Sequence, residues 1–280
     1  MATRSISPRE GRPVPSGGPY EGAPAHLRDA LVNWFEDLFT SMEDFTERVT
    51  YDNGGMLALA TAARINLYQS PRDRFLLNQI IDEANGRDGE ELLDLIHYAL
   101  QPTNPGPFPV NTLNQLLIDG GSVWNATPTG LQRRVDPPVQ AAFEAASSPH
   151  DVASTELEEA WRNTYGRHPD ASDAWDHAIK AVEAILIPII LPNQDKPTLG
   201  QIVGHLKAQG RQWRLPLPGP NDDHDVHPLV AMLQLLWPNP DRHGSPQHRR
   251  PPTLAEAQAV VHLAVTIVQW GRDGQIVRRH

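Results

Sequence analysis

The chain has 280 residues and no cysteine, and its 34 acidic and 24 basic residues give a formal net charge of −10. The lack of cysteine excludes a disulfide scaffold and a Cys-ligated zinc site. The chain has no window of about 18 consecutive apolar residues, so no transmembrane helix is predicted. The acidic balance argues against a protein that coats nucleic acid through bulk positive charge, but it is compatible with a nuclease that has a small local site.

The first 24 residues are rich in Pro, Gly, Ser and Arg and contain no apolar run. This composition predicts a disordered tail, residues 1–24. It lacks the hydrophobic segment of about 7–15 residues that marks a secretory signal, although an organelle transit peptide stays open. Together with the absence of cysteine, this favours a cytoplasmic location.

Residues 25–150 are expected to form an N-terminal helical domain of unknown role. Apolar residues recur there at every third or fourth position, which is the spacing of one buried helix face. Helices are predicted to begin near Leu27, Met56, Pro71, Asp88, Val110 and Val139. The turn sequence TPTG separates two short β-rich runs and predicts one small β-hairpin near residues 122–135. We place the domain boundary at the SSPHD segment, near residue 150.

Residues 151–280 carry clearer helix signals. Thr155 with Glu158, and Thr253 with Glu256, have the spacing of a capping box. Further helices are predicted from Ala171, Thr198 and Leu229, and the expected helix ends are Gly166, Pro188 with Pro192, Gly210 and Gly271. With about two domains' worth of chain, the predicted fold is all-α, with two helical domains and the single hairpin.

Two polar clusters invite a functional interpretation, and each has a simpler one. The run of residues 222–227, DDHDVH, contains carboxylates and imidazoles that could bind a divalent metal. It lies between Pro-rich stretches with no helix to fix ligand geometry, so a solvated acidic loop is favoured. Lys180 and Glu183 lie one helical turn apart, which is typical of a local ion pair.

A third cluster combines one arginine with two histidines in a polar loop. Arg242 is followed directly by His243, and His248 lies six positions beyond the arginine. Histidine suits proton transfer near neutral pH, and the permanent charge and planar fork of arginine suit a phosphate. Residues 241–280 contain six Arg against three acids, a local excess of +3 that suits a compact anion site. The simpler interpretation is a surface loop whose His and Arg serve solubility.

Residues 155–270 resemble the HEPN superfamily, and within it the domain found at the C-terminus of abortive-infection proteins. The family pattern is an Arg, a polar residue and a His a few positions further on, which Arg242, His243 and His248 match. The segments AWDHAIKAVEAIL, TLGQIVGHL, LVAMLQLLW and TLAEAQAVVHLAVTIV follow the helix order of that family. Pro246 inside the motif and Pro251–Pro252 after it depart from the family, and they predict that part of this segment stays a loop.

The resemblance implies a HEPN-like up-and-down helical bundle in residues 151–280. It implies a metal-independent endoribonuclease of abortive-infection or toxin type in antiviral defence, which leaves a 2′,3′-cyclic phosphate. Arg242 would bind the scissile phosphate, His248 would act as general base or acid, and His243 would be a polar helper. The expected partners are RNA, a second copy of the chain and an antitoxin or regulatory protein, with no membrane, metal or cofactor.

Two other functions stay open at this point. Many HEPN-type domains act as catalytically inactive dimerisation or nucleotide-binding modules, in which the Arg–His loop would hold a phosphate or a partner. The protein could instead be a purely structural or assembly protein. Nucleotide binding without turnover would favour the first alternative, and a monomer with an exposed, mobile loop would favour the second.

Overall fold

The computed structural model describes residues 19–43, 48–84, 89–103, 106–219, 222–237, 239 and 250–278. Within these ranges the protein is mainly helical, with eleven α-helices and three antiparallel pairs of short β-strands. The prediction of a mainly helical fold is therefore confirmed. No helix in these ranges has the length and apolar character needed to cross a bilayer. The chain divides between Arg133 and Arg134 into two compact units.

The first unit consists of five helices and two hairpins around one apolar core. Its elements are α1 (Ala25–Phe39), β1 (Thr40–Glu43), β2 (Arg48–Tyr51), α2 (Asn53–Ala62), α3 (Asp73–Glu83), α4 (Glu90–Thr103), α5 (Pro107–Asp119), β3 (Trp124–Thr127) and β4 (Gly130–Arg133). Helix α1 illustrates why they form, since its apolar residues recur at helical spacing and become one buried face. That face comprises Leu27, Leu31, Trp34, Phe35 and Phe39.

The predicted hairpin is present as β3 and β4, with Trp124 paired to Arg133 and Thr127 to Gly130. Gly130 has a φ of +136°, and a Cβ there would lie 2.5 Å from the Nδ1 atom of His97. The turn therefore requires glycine for both its backbone and its space. A second hairpin, formed by β1 and β2, was not predicted.

Residues 19–24 correct one prediction, because they belong to the first unit and not to a disordered tail. The amide of Tyr20 donates to the carbonyl of Gly121 over 2.9 Å, and the carbonyl of Tyr20 accepts from Val123 over 3.0 Å. Ala23 is completely buried, and the indole of Trp124 donates to the carbonyl of Glu21. The remainder of the predicted tail, residues 1–18, lies outside the described residues.

The second unit is a bundle centred on its longest helix. Its elements are α6 (Pro137–Ser147), α7 (Val152–Tyr165), α8 (Ala171–Ile190), α9 (Leu199–Gln209), a 3-10 turn (Gly210–Gln212), β5 (Trp213–Arg214), α10 (His227–Leu236), α11 (Leu254–Arg272) and β6 (Val277–Arg278). Helix α8 packs against α7, α9, α10 and α11. Helix α6 lies before the boundary that we placed near residue 150, yet it packs against α7 and α11 in this unit.

Most helix ends in the second unit follow the sequence signals, with three corrections. The capping box at Thr253 is present, but the one expected at Thr155 is wrong because α7 begins earlier and Asp151 caps it through the amide of Ser154. Pro188 lies inside α8, which continues to Ile190. Gly271 does not end α11, and a Cβ at that position would collide with Ile185 of α8. Gly271 thus permits the close approach of two helices.

Candidate functional site

The residues predicted to carry the chemistry, Arg242, His243 and His248, lie in the segment 240–249, outside the described residues. The structure does describe how the chain is held on either side of this segment. Helix α10 ends at Leu236 before it, and α11 begins at Leu254 after it. The segment thus connects two helices that pack against each other and against α8.

The chain is anchored before the segment by a buried polar contact with α8. Asn239 is completely buried, and its Nδ2 donates to the carboxylate of Asp176 over 2.6 Å and to the carbonyl of Ser172 over 3.2 Å. The indole nitrogen of Trp175 donates to the carbonyl of Leu236 over 2.7 Å. Because breaking a buried polar contact carries a desolvation cost, these bonds fix the position of the chain at residue 239.

The chain is anchored after the segment by the start of α11. The guanidinium of Arg250 binds both carboxylate oxygens of Glu256, over 2.8 and 2.5 Å, and the same carboxylate accepts from the backbone of Thr253. The hydrogen bond from Arg250, followed by those from Thr253, lowers the pKa of Glu256 to about 2. Residues 250–253 stay out of the helix, as the pair Pro251–Pro252 predicts.

Two of the arginines in residues 241–280 form internal ion pairs. Arg272 lies at the end of α11, and its side chain is 15% exposed. It donates to both carboxylate oxygens of Asp151, over 2.7 and 2.8 Å, and to Ser154 Oγ over 2.9 Å. Arg250 and Arg272 are thus each bound to a carboxylate, which offsets part of the local positive charge.

The two histidines of the acidic loop, residues 222–227, have different partners. The Nδ1 atom of His224 lies 2.9 Å from the carbonyl of Leu215, and its Nε2 is 3.8 Å from Asp222. His227 pairs with Asp225, and the imidazole lowers the pKa of that carboxyl group. Across the described part of the chain, no three His, Asp or Glu side chains come together in a group that could hold a metal ion.

Lys180 and Glu183 contact different residues. A carboxylate oxygen of Glu183 accepts from the amide of Leu199 over 2.6 Å, at the first residue of α9. Lys180 lies 4.0 Å from Glu156 of α7, and Glu156 is 2.6 Å from His177. Burial raises the pKa of Glu183, although the bond from Leu199 and the charge of Lys180 act in the opposite direction. Glu183 therefore links α8 to the start of α9.

No family model matches this chain, and neither does any curated protein or solved structure. A function for this chain can therefore be proposed only from its own residues. The described residues of the second unit also form a cavity, which none of the sequence patterns above includes.

A cavity of about 230 Å³ lies between α6, α7 and α11. Its walls are mainly apolar, and its polar groups belong to an indole, an imidazole and a hydroxyl side chain. The lining residues are Pro138, Val139, Ala142, Trp161, His262, Val265 and Thr266. Behind this lining, the hydroxyl of Tyr165 shares a hydrogen bond of 2.5 Å with the Nε2 atom of His262.

Burial shifts the pKa values of Tyr165 and His262 in the direction that favours their neutral forms. It raises the pKa of Tyr165 to about 12 and lowers the pKa of His262, because a low-dielectric environment disfavours the charged form of each group. The two residues lie 97 positions apart in the chain, so no local motif could have paired them. The one sequence signal is that His262 interrupts the apolar run VVHLAV within α11.

Proposed function

We propose that the chain is a metal-independent endoribonuclease of HEPN type, which acts as a homodimer through residues 151–280. The observation that carries the proposal is the double anchoring of the segment that contains Arg242 and His248. Asn239 is bonded to α8 on one side, and Arg250 is bonded to Glu256 of α11 on the other. A catalytic pair must be held in a defined position, and such anchoring favours this.

The four segments that carry the HEPN resemblance lie on α8, α9, α10 and α11. These helices pack as neighbours around α8, within a single apolar core. The Arg242–His248 segment is the connection between the last two of them. The Arg–His motif is short and degenerate. The agreement between helix order and packing therefore adds support that the motif alone does not give.

The reaction would use the neighbouring 2′-hydroxyl of RNA as nucleophile. His248 takes the proton from that hydroxyl, whose oxygen then attacks the adjacent phosphorus. The bond from phosphorus to the 5′-oxygen of the next nucleotide breaks, and the leaving oxygen receives a proton. The products are a 2′,3′-cyclic phosphate and a 5′-hydroxyl end. DNA lacks the nucleophile and would not be cleaved.

Arg242 would stabilise the negative charge that develops on the phosphate oxygens, where a fixed guanidinium is most effective. His243 would be a polar helper that orients the phosphate or the catalytic histidine. In the homodimer, the motif of the second copy faces the first across a two-fold axis, so one His248 can act as base while the other protonates the leaving oxygen.

The biological role that fits this activity is antiviral defence of abortive-infection or toxin type, in which cellular or phage RNA is cut. An antitoxin or regulatory partner would then hold the activity in check. This biological role is proposed from the resemblance alone.

The test is incubation of the purified protein with single-stranded RNA in excess EDTA, followed by mass spectrometry of the product ends. DNA of the same sequence serves as the control substrate, and light scattering measures the oligomeric state. We expect a dimer that cleaves RNA alone and leaves cyclic phosphate ends. RNA or nucleotide binding without cleavage would contradict the enzyme and favour an inactive HEPN-like module.

A further inference from the structure

We propose that the cavity between α6, α7 and α11 binds a small, uncharged aromatic molecule of one or two fused rings, held by a hydrogen bond to His262. This proposal does not rest on the nuclease proposal, since it is argued only from described residues of α6, α7 and α11.

The size and walls of the cavity indicate a flat ring system. Pockets for drug-sized ligands usually measure about 300–1,000 Å³, and the cavity of about 230 Å³ is smaller. Pro138, Val139 and Ala142 line it from α6, while Val265 and Thr266 line it from α11. A cleft between two such helix faces suits a planar apolar molecule better than a bulky or highly branched one.

Aromatic side chains pack together at the inner wall of the cavity, which Trp161 lines. Trp161 is 1% exposed and stacks on Phe143, with ring centroids 4.2 Å apart and planes at 13°. Its other close neighbour is Tyr165, at 4.5 Å between centroids. A wall that is already packed does not need to reorganise when a ligand arrives, which lowers the cost of binding.

His262 supplies the polar group that would orient the ligand. Its Nε2 atom is engaged with the hydroxyl of Tyr165, and within the described part of the chain its Nδ1 atom has no hydrogen-bond partner. Nδ1 is therefore the ring atom that remains for a ligand. It donates or accepts according to which nitrogen carries the proton, so a ligand with both kinds of ring nitrogen can satisfy either form.

The absence of charge in the lining sets the chemical class. Among the described residues that line the cavity, none has a carboxylate, an ammonium or a guanidinium group. An ionic ligand would lose its hydration without gaining a counter-charge, which is costly in an apolar environment. We therefore expect the site to reject an anionic relative of the same ring.

The probe for this proposal is benzimidazole at pH 8, with benzimidazole-5-carboxylate as its charged counterpart, measured by isothermal titration calorimetry on the full chain. Ala142→Leu fills the cavity, and Ala141→Leu adds the same side chain at the exposed neighbouring position of α6. We expect saturable binding of benzimidazole by the wild type and by Ala141→Leu, loss of binding in Ala142→Leu, and no binding of the carboxylate.

His262→Gln tests the hydrogen bond without depending on a filled cavity. The glutamine amide can replace Nε2 in the hydrogen bond to Tyr165. It has no atom that replaces Nδ1 in the proposed hydrogen bond to the ligand. We expect the affinity for benzimidazole to fall roughly three- to tenfold, as for the loss of one neutral hydrogen bond. The proposal is overturned if the wild type shows no saturable binding, if His262→Gln binds as tightly as the wild type, or if the carboxylate binds as well as the neutral ring.

Discussion

The side-chain amide of Asn239 donates a hydrogen bond of 2.6 Å to the carboxylate of Asp176, across 63 positions of the chain. Asn239 is completely buried and Asp176 is 8% exposed. The bond joins α8 to the last described residue before the Arg242–His248 segment. It thereby fixes the position of the chain at residue 239.

Asn239→Ala removes this anchor, and we expect it to lower the free energy of unfolding by about 1–3 kcal/mol, because the carboxylate of Asp176 would stay buried without the amide. Asn193→Ala is the matched control, since Asn193 is exposed, and it should change stability by less than about 0.5 kcal/mol. Urea denaturation measures both. If the nuclease proposal holds, RNA cleavage should also fall in Asn239→Ala and not in the control. Equal stability of the two variants would show that the anchor contributes nothing.

Glu183 and Lys180 provide a second prediction. Glu183→Ala should destabilise the protein by about 1 kcal/mol, as loss of a helix cap does, because the amide of Leu199 loses its acceptor. Lys180→Ala should cost less than about 0.5 kcal/mol, because the ammonium is half exposed and 4.0 Å from Glu156. Thermal denaturation of the two variants compares them directly. A larger loss in Lys180→Ala would mean that the ion pair, and not the link to α9, stabilises this region.

Acid stability depends on the pair of Asp151 and Arg272. The hydrogen bonds from Arg272, and then those from Ser154, hold the pKa of Asp151 well below its ordinary value. The pKa of Asp151 is lower in the folded protein than in the unfolded chain, where it is about 4. The ionised carboxylate therefore stabilises the fold at pH values above about 4. This stabilisation is lost progressively as the pH falls below about 4. Arg272→Gln should therefore lose about 1 kcal/mol at pH 7, a modest figure because Asp151 is 43% exposed.

The difference in stability between wild type and Arg272→Gln should shrink steadily between pH 4 and pH 2, about the range over which an ordinary carboxyl group titrates. Arg211→Gln, at an exposed position after α9, should match the wild type throughout. A difference that stays constant down to pH 2 would show that the stabilisation does not come from the charge of Asp151.

His262 predicts a separate pH dependence. Its pKa is lowered by burial, so below about pH 6.5 the unfolded chain takes up a proton that the folded protein resists. This contribution makes the wild type lose stability as the pH falls through that value. In His262→Gln the corresponding loss should be absent, so the stability advantage of the wild type should be larger at pH 7.5 than at pH 5.5. Chemical denaturation at the two pH values measures it, and an equal advantage at both would contradict the buried neutral imidazole.

The elements that could be predicted from sequence are those in which a periodic apolar face meets a core. Helix α1 has such a face, and the capping box at Thr253 locates the start of α11. The hairpin of β1 and β2 was not predicted because nearly all its residues are exposed, so no alternation of apolar and polar residues reveals it. Pro188 did not end α8, because Leu186 and Ile190 are buried on either side of it, and their packing offsets the lost hydrogen bond.

The two candidate sites also differ in how far they could be predicted from the sequence. Arg242, His243 and His248 lie within a few positions of each other, so a chemical role for them can be proposed from the sequence alone. Tyr165 and His262 come from two helices that are distant in sequence, and only the packing of α7 against α11 brings them together. The shifts of their pKa values towards the neutral forms come from burial, which no residue pattern shows. The sequence could thus indicate the proposed nuclease motif and could not indicate the cavity.

The most direct measurement compares RNA cleavage in EDTA by the wild type and by the double variant Arg242→Ala/His248→Ala. The matched control is Gln247→Ala/Arg249→Ala, which removes one arginine and one polar side chain from the same segment. If Arg242 and His248 carry the reaction, the wild type and the control cleave RNA, and the double variant loses at least about 100-fold in rate, as expected when a general base is removed. Equal activity of the double variant and the wild type, or no cleavage by either, would contradict the proposed nuclease.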